Sequence, residues 1–180
     1  MNFSSQFRNK SVIIFRRVCL SFFEFVLKFT IINNELIGKG IMDIKTFNFP
    51  ILTKGFNEII DISPQVEKIL KDSEFLEGSV LIFAPGSTAG ITTIEYEPGL
   101  LKDYPDFFEK IAPSNIPYQH DKTWHDGNGF SHVRSALQGA SFTVPFTSGR
   151  LLLGTWQQII LIDFDNRSRK RNIIVQVTGK

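Results

Sequence analysis

Three histidines are the only ones in the chain, and they fall together: His120, His125 and His132, in His-x4-His-x6-His spacing. Neutral imidazoles that converge from a loop and a helix are a common start for a metal site. Asp121 and Asp126 stand beside them, placed to orient the rings or to ligate directly. The spacing is not a signature metal pattern. Two readings stay open: a divalent metal, zinc or magnesium, on His120, His125 and His132, or separate histidines with satisfied hydrogen bonds.

Other groups could handle a charged ligand. Pro85-Gly86-Ser87-Thr88-Ala89-Gly90 follows one apolar run and precedes another. Small residues with hydroxyls and backbone N–H groups can form an anion-binding concavity, although an ordinary tight turn reads the same way. It lacks the order of a P-loop. Glu95 stands at the end of the next run, as a chemical group or a solvated strand end. Trp156, in Gly154-Thr155-Trp156-Gln157, reads as a core or interface aromatic rather than a stacking platform. Arg167, Arg169, Lys170 and Arg171 form a basic tip, either a solvated turn or a phosphate clamp.

The elements that must position these groups follow from periodicity. Ile44–Phe49 alternates apolar and polar residues and predicts a strand. Ser63-Pro64 starts a helix, with Ser63 as the cap and Gly78 as the stop. Ser79–Ala84 and Gly90–Tyr96 read as strands. Pro98–Ile111 reads as a helix with Leu101, Phe107, Phe108 and Ile111 on its core face. Residues 115–129 are a polar, irregular loop of the kind that carries function, and Phe130–Leu137 is a short helix. Four strand-like runs close the chain: 141–146, 151–154, 156–164 and 172–178. Ile159-Ile160-Leu161-Ile162 is continuously apolar, so that strand is expected to be buried on both faces. The pattern predicts one α+β domain, with a mixed or antiparallel sheet packed against a few helices.

Composition narrows the function. The chain has 180 residues, 42% hydrophobic and 21% charged, with net charge +2. Residues 1–41 hold six basic and two acidic side chains, which leaves 42–180 at −2. The body offers no basic face for nucleic acid. The single cysteine, Cys19, lies in the N-terminal stretch, so disulfides, thiolate metal sites and a cysteine nucleophile are excluded from the body. Residues 1–41 read as an extension ahead of a domain over 42–180. Residues 12–32 are Phe-rich but carry Arg16, Arg17, Glu24 and Lys28, a poor membrane span. They could instead lie on a membrane surface or target an organelle. Gly38-Lys39-Gly40 requires purine-rich codons just before Met42, as a ribosome-binding site would, so Met42 is also a candidate start.

The stretch Ser141–Gln157, SFTVPFTSGRLLLGTWQ, resembles the hallmark segment of the YjbQ-like family. Tyr118-Gln119-His120-Asp121, Ser131-His132 with Leu137-Gln138-Gly139, and Ser87-Thr88-Ala89 through Glu95 resemble further blocks in the same order. The resemblance runs from about Phe47 to Gly179. Gly86 stands where the family usually has a histidine, and Ile94 where it has an asparagine before the glutamate. The resemblance implies a homotrimer and a secondary thiamine-phosphate synthase activity, a transfer that joins a thiazole phosphate to a pyrimidine diphosphate. Such chemistry needs a metal or cation at the leaving pyrophosphate. His120, His132 and, in place of the missing histidine, His125 would hold it. Ser87, Thr88 and Arg150 would bind phosphate, and Glu95 and His132 would be catalytic. His120 and His132 are expected to face Ser87, Thr88 and Glu95 across one pocket. The alternative is a trimeric metal- or metabolite-binding protein without turnover, which the Gly86 departure favours. Either would be cytoplasmic, or organellar if the extension is a targeting segment.

Overall fold

The computed structural model describes residues 41–180. The expectations for the N-terminal stretch, its membrane or targeting role and the alternative start, lie outside the described residues. Among the described residues no helix is long and apolar enough to cross a membrane.

The fold is α+β, built on two curled antiparallel sheets. The strands are β1 (Asp43–Thr53), β2 (Glu58–Asp61), β3 (Glu77–Phe83), β4 (Ala89–Ile94), β5 (Ser141–Thr147), β6 (Arg150–Leu151), β7 (Gln158–Asp163) and β8 (Arg169–Gly179). The helices are α1 (Ser63–Ser73), α2 (Leu100–Ile111), α3 (Gln119–Trp124) and α4 (Gly129–Gln138). One sheet runs β1-β8-β3-β5-β6 and the other β2-β7-β4. Every pairing is antiparallel.

β7 is the common wall of two cores. Ile159 and Leu161 pack with Val66, Leu70, Ile82 and Val175, while Ile160 and Ile162 pack with Phe108 and Phe164. This is the two-faced strand its apolar run predicts, because successive side chains point to opposite faces. Burying each such isoleucine contributes roughly 1.5–3 kcal/mol.

Several local expectations are corrected. Ser63 does not cap α1; its Oγ accepts the Ile159 N–H at 2.8 Å, tying the helix to β7. The helix ends at Glu74, in the left-handed region. Gly78 lies inside β3, where a side chain would overlap the Thr178 carbonyl. Phe107 and Ile111 are exposed, and α2 instead buries Phe108 and packs Leu100, Leu101 and Tyr104. The polar loop contains α3, and the run at 151–154 shrinks to the end of two-residue β6. The basic tip is mostly strand, since Arg169 and Arg171 belong to β8. Trp156 is 68% exposed and so is not a core residue.

Candidate functional site

Helix α4 is pinned from several sides. Ser131 Oγ donates to Phe164 O and Ser135 Oγ to Ala89 O, each at 2.7 Å. Arg134, fully buried, donates to Ala112 O and Asn57 Oδ1 and pairs with Glu109. Burying an arginine is tolerable only when its donors are met this fully. At the first residue of α4 a side chain is forbidden: a Cβ on Gly129 would overlap Tyr118 Cβ. The Gly129 N–H donates to Asp121 Oδ1 at 2.9 Å. Glycine thus lets α3 close onto α4.

That closure brings His120 onto His132, with ring centroids 4.1 Å apart and planes tilted by 37°. His120 Nε2 lies 3.7 Å from Asp126 Oδ1. Asp126 is held in turn by Asn128, whose buried amide donates to its Oδ1 and Oδ2 at 3.0 and 3.2 Å when oriented to satisfy both groups. Asn166 Nδ2 donates to Asp126 O at 2.8 Å. The His132 imidazole is held below its ordinary value. Burial is the larger cause and His120 the second, against weaker opposition from Asp126, Asp165 and Asp121. His132 is therefore neutral near pH 7.

His132 lines an open pocket of about 270 Å³ with Gly86, Ser87, Ser135, Ala136, Gly139 and Ala140. Small residues make up the rest of the wall, so the imidazole is its only titratable lining group. Two roomier grooves lie elsewhere. One runs along the surface of α2 between Leu100 and Lys110. The other lies between α1 and Arg150. Neither gathers histidines or a buried charge.

Beneath the 85–88 turn is a buried charge network. Arg171 donates from Nε to Asp163 Oδ2 at 2.7 Å and from Nη2 to Asp163 Oδ1 at 2.6 Å. Nη2 also donates to Thr88 Oγ1 at 2.8 Å. The Thr88 hydroxyl donates to Asp165 Oδ2 at 3.0 Å, and Arg169 Nε to the same oxygen at 2.7 Å. Asp163 and Asp165 are both 0% exposed. Burial works to raise the Asp165 carboxyl, but its bonds to Arg169 and Thr88 and the two guanidinium charges outweigh it and hold it below the usual range. Asp165 Oδ1 has no hydrogen-bond partner.

The expected site is only partly assembled. His120, His132 and Ser87 come to the same region. Thr88 lies under it, its hydroxyl committed to Asp165 and Arg171. His125 is the exposed, left-handed residue that ends α3 and does not join the pair. Glu95 follows the far end of β4, about 23 Å along the strand from Thr88 at ~3.3 Å per residue, so it cannot face the pocket. Arg150 lines the separate groove by α1. Among the described residues no three His, Cys, Asp or Glu side chains gather to hold a metal ion. The donors therefore do not fit zinc or magnesium as they stand. The sequence reading does not single out Asp163, Asp165 or Asn128, and it places Arg171 in the basic tip without its burial. One signal was present: Asp163-Phe164-Asp165 continues a strand that is apolar on both faces, where acids must find cations.

The chain matches the family described as "UPF0047 protein YjbQ-like" over residues 48–180. It is 42% identical over 119 residues to a UPF0047 protein of Archaeoglobus fulgidus, covering 66% of this chain and 90% of the relative. It is 37% identical over 131 residues to UPF0047 protein YugU of Bacillus subtilis, covering 72% and 96%. Among solved structures it resembles a YbjQ-like protein of unknown function from Sulfolobus solfataricus, with TM-score 0.70 and 31% identity over 77% of this chain and all of that one. It also resembles an uncharacterized conserved protein of the yjbq/upf0047 family from Clostridium acetobutylicum, with TM-score 0.67 and 31% identity over 73% and 98%. These names overturn the expectation of a thiamine-phosphate synthase: they carry an uncharacterised family and no thiamine chemistry. They carry no transferase activity, metal or oligomeric state either.

Proposed function

Because the chain belongs to the UPF0047 YjbQ-like family, whose names lend it no reaction, we propose a function from the site itself: the His132 pocket receives a small phosphorylated metabolite and exchanges a proton with it. The observation that carries this is a neutral imidazole, stacked on a second one, in the wall of a small pocket. A neutral imidazole can take a proton from a ligand hydroxyl and return it to the ligand at another oxygen. The other lining side chains are small, and His120, backed by Asp126 and Asn128, packs against the face of His132.

The test is a titration of the full chain with small phosphorylated metabolites, followed by the imidazole resonances of His132. A ligand that shifts His132, and that binds poorly to His132→Asn, supports the reading. Ligands that bind without touching His132 overturn it. Stoichiometric zinc that is lost in His132→Ala would replace it with a metal centre.

A further inference from the structure

Arg171 is 9% exposed, and its Nε and Nη2 are fully used by Asp163 and Thr88. Its Nη1 finds no acceptor among the described residues. Above it lies Gly86, at φ +126, a conformation side chains rarely adopt. A Cβ built on Gly86 would meet one atom within 4 Å, Arg171 Nη1 at 3.4 Å, and otherwise open space. Gly86 also lines the pocket with Ser87 and His132. The residue that lacks a side chain therefore stands between the pocket and the one free nitrogen of a buried guanidinium.

Resting on the proposed pocket, we infer that Arg171 Nη1, reached past Gly86, and His132 form the two sides of an oxyanion subsite for the ligand's phosphate group. A planar guanidinium offers directed N–H donors that match phosphate oxygens. Asp163 and Asp165 already balance Arg171 and Arg169, so Nη1 does not present a full unit charge. It contributes a preformed, charge-assisted donor, and the neutral His132 imidazole contributes a second N–H. This also gives Gly86 a function that a bulkier residue would block. Ser87 adds a hydroxyl at the rim.

The experiment uses the full chain and inorganic phosphate. The Arg171 guanidinium and His132 imidazole nitrogens are followed by NMR in one titration, and binding is measured by calorimetry for wild type, Gly86→Ala and Arg171→Lys. Phosphate is expected to shift both groups. Gly86→Ala puts a Cβ 3.4 Å from Nη1 and also strains the turn at φ +126, and should weaken binding roughly tenfold or more, the loss of at least one charge-assisted hydrogen bond; the Arg171 resonance in the wild type separates the two effects. Arg171→Lys should do the same; if it fails to fold, the wild-type spectra and Gly86→Ala still decide. His132 shifting while Arg171 stays still, or full affinity in a folded Gly86→Ala, overturns the subsite and leaves the pocket standing. Arg171 shifting without His132 overturns the pocket reading and with it the two-sided subsite, leaving phosphate on Arg171 by itself, and silence at both overturns both. An equal response to acetate overturns the assignment to phosphate.

Discussion

His120 and His132 lie ring against ring, 4.1 Å between centroids, although eleven residues and a helix break separate them in the chain. A proton on one opposes a proton on the other, and this coupling can be measured.

The His132 imidazole should titrate below its ordinary value, near 6.5, with burial and His120 as causes and Asp126, Asp165 and Asp121 opposing. His120→Asn removes one cause and should raise the His132 value. An NMR titration of both forms checks it; a His132 value that does not move would uncouple the pair.

The same shift sets a stability window. The unfolded histidine takes its proton near pH 6.5, while folded His132 takes it lower. Above pH 6.5 the stability contribution is fully present, and it falls as pH drops from 6.5 toward the folded value. Asp165, depressed instead, holds its contribution above the usual carboxylate value and loses it as pH falls through its own lower one. Urea midpoints should therefore decline in two separate stages on acidification, and His132→Gln should remove the upper one. A midpoint flat from pH 7 to 5.5 in the wild type would contradict this.

Breaking the buried network on one side should be costly. Asp163→Ala removes both bonds from the buried Arg171 guanidinium to that carboxylate and leaves only Asp165 Oδ2, 3.6 Å from Nη2, as a weaker carboxylate partner; removal of one partner of a buried pair costs about 3–5 kcal/mol. Denaturant unfolding measures it. A loss within about 0.5 kcal/mol, typical of exposed positions, would mean that the network is solvated.

Gly129→Ala should act on the site through geometry. Its Cβ would overlap Tyr118, so α3 must move off α4, at a cost of about 1–3 kcal/mol. His120 should then leave His132, whose imidazole should rise toward its ordinary value. A stable Gly129→Ala with an unchanged His132 titration would show that the helices are not held together there.

The segment after β6 leaves Leu152 and Trp156 largely exposed. Exposed aromatics suit an interface better than solvent, and we propose that these two residues carry a contact between copies of the chain. Light scattering at micromolar concentration should give a mass above that of one chain, and Trp156→Ser should lower it. A monomer in wild type would exclude this assembly.

The parts legible in the sequence were those set by local pattern. Ile159–Ile162 announced β7, and the cluster of His120 and His132 was visible in their spacing. The rest depended on distances no pattern carries. Glu95 is only seven residues from Thr88, but an extended strand turns seven residues into about 23 Å. Arg171 reads as part of a basic tip, solvated or phosphate-clamping, because its partners, Asp163 on β7 and Thr88 just before β4, belong to the other sheet. Thr88 is buried and Ser87 exposed, and strand alternation past a turn could not be phased in advance.

The alternation of β7 has one further consequence. Ile159 and Leu161 belong to one hydrophobic cluster, and Ile160 and Ile162 to the other. Neither half can melt without pulling the strand that the other half needs. Local openings should therefore bypass β7, and its amide hydrogens should exchange only when the whole domain unfolds. Damage to either cluster is then shared by both, so a lesion beside Phe108 should loosen Val66 and Leu70 as surely as one beside those residues themselves.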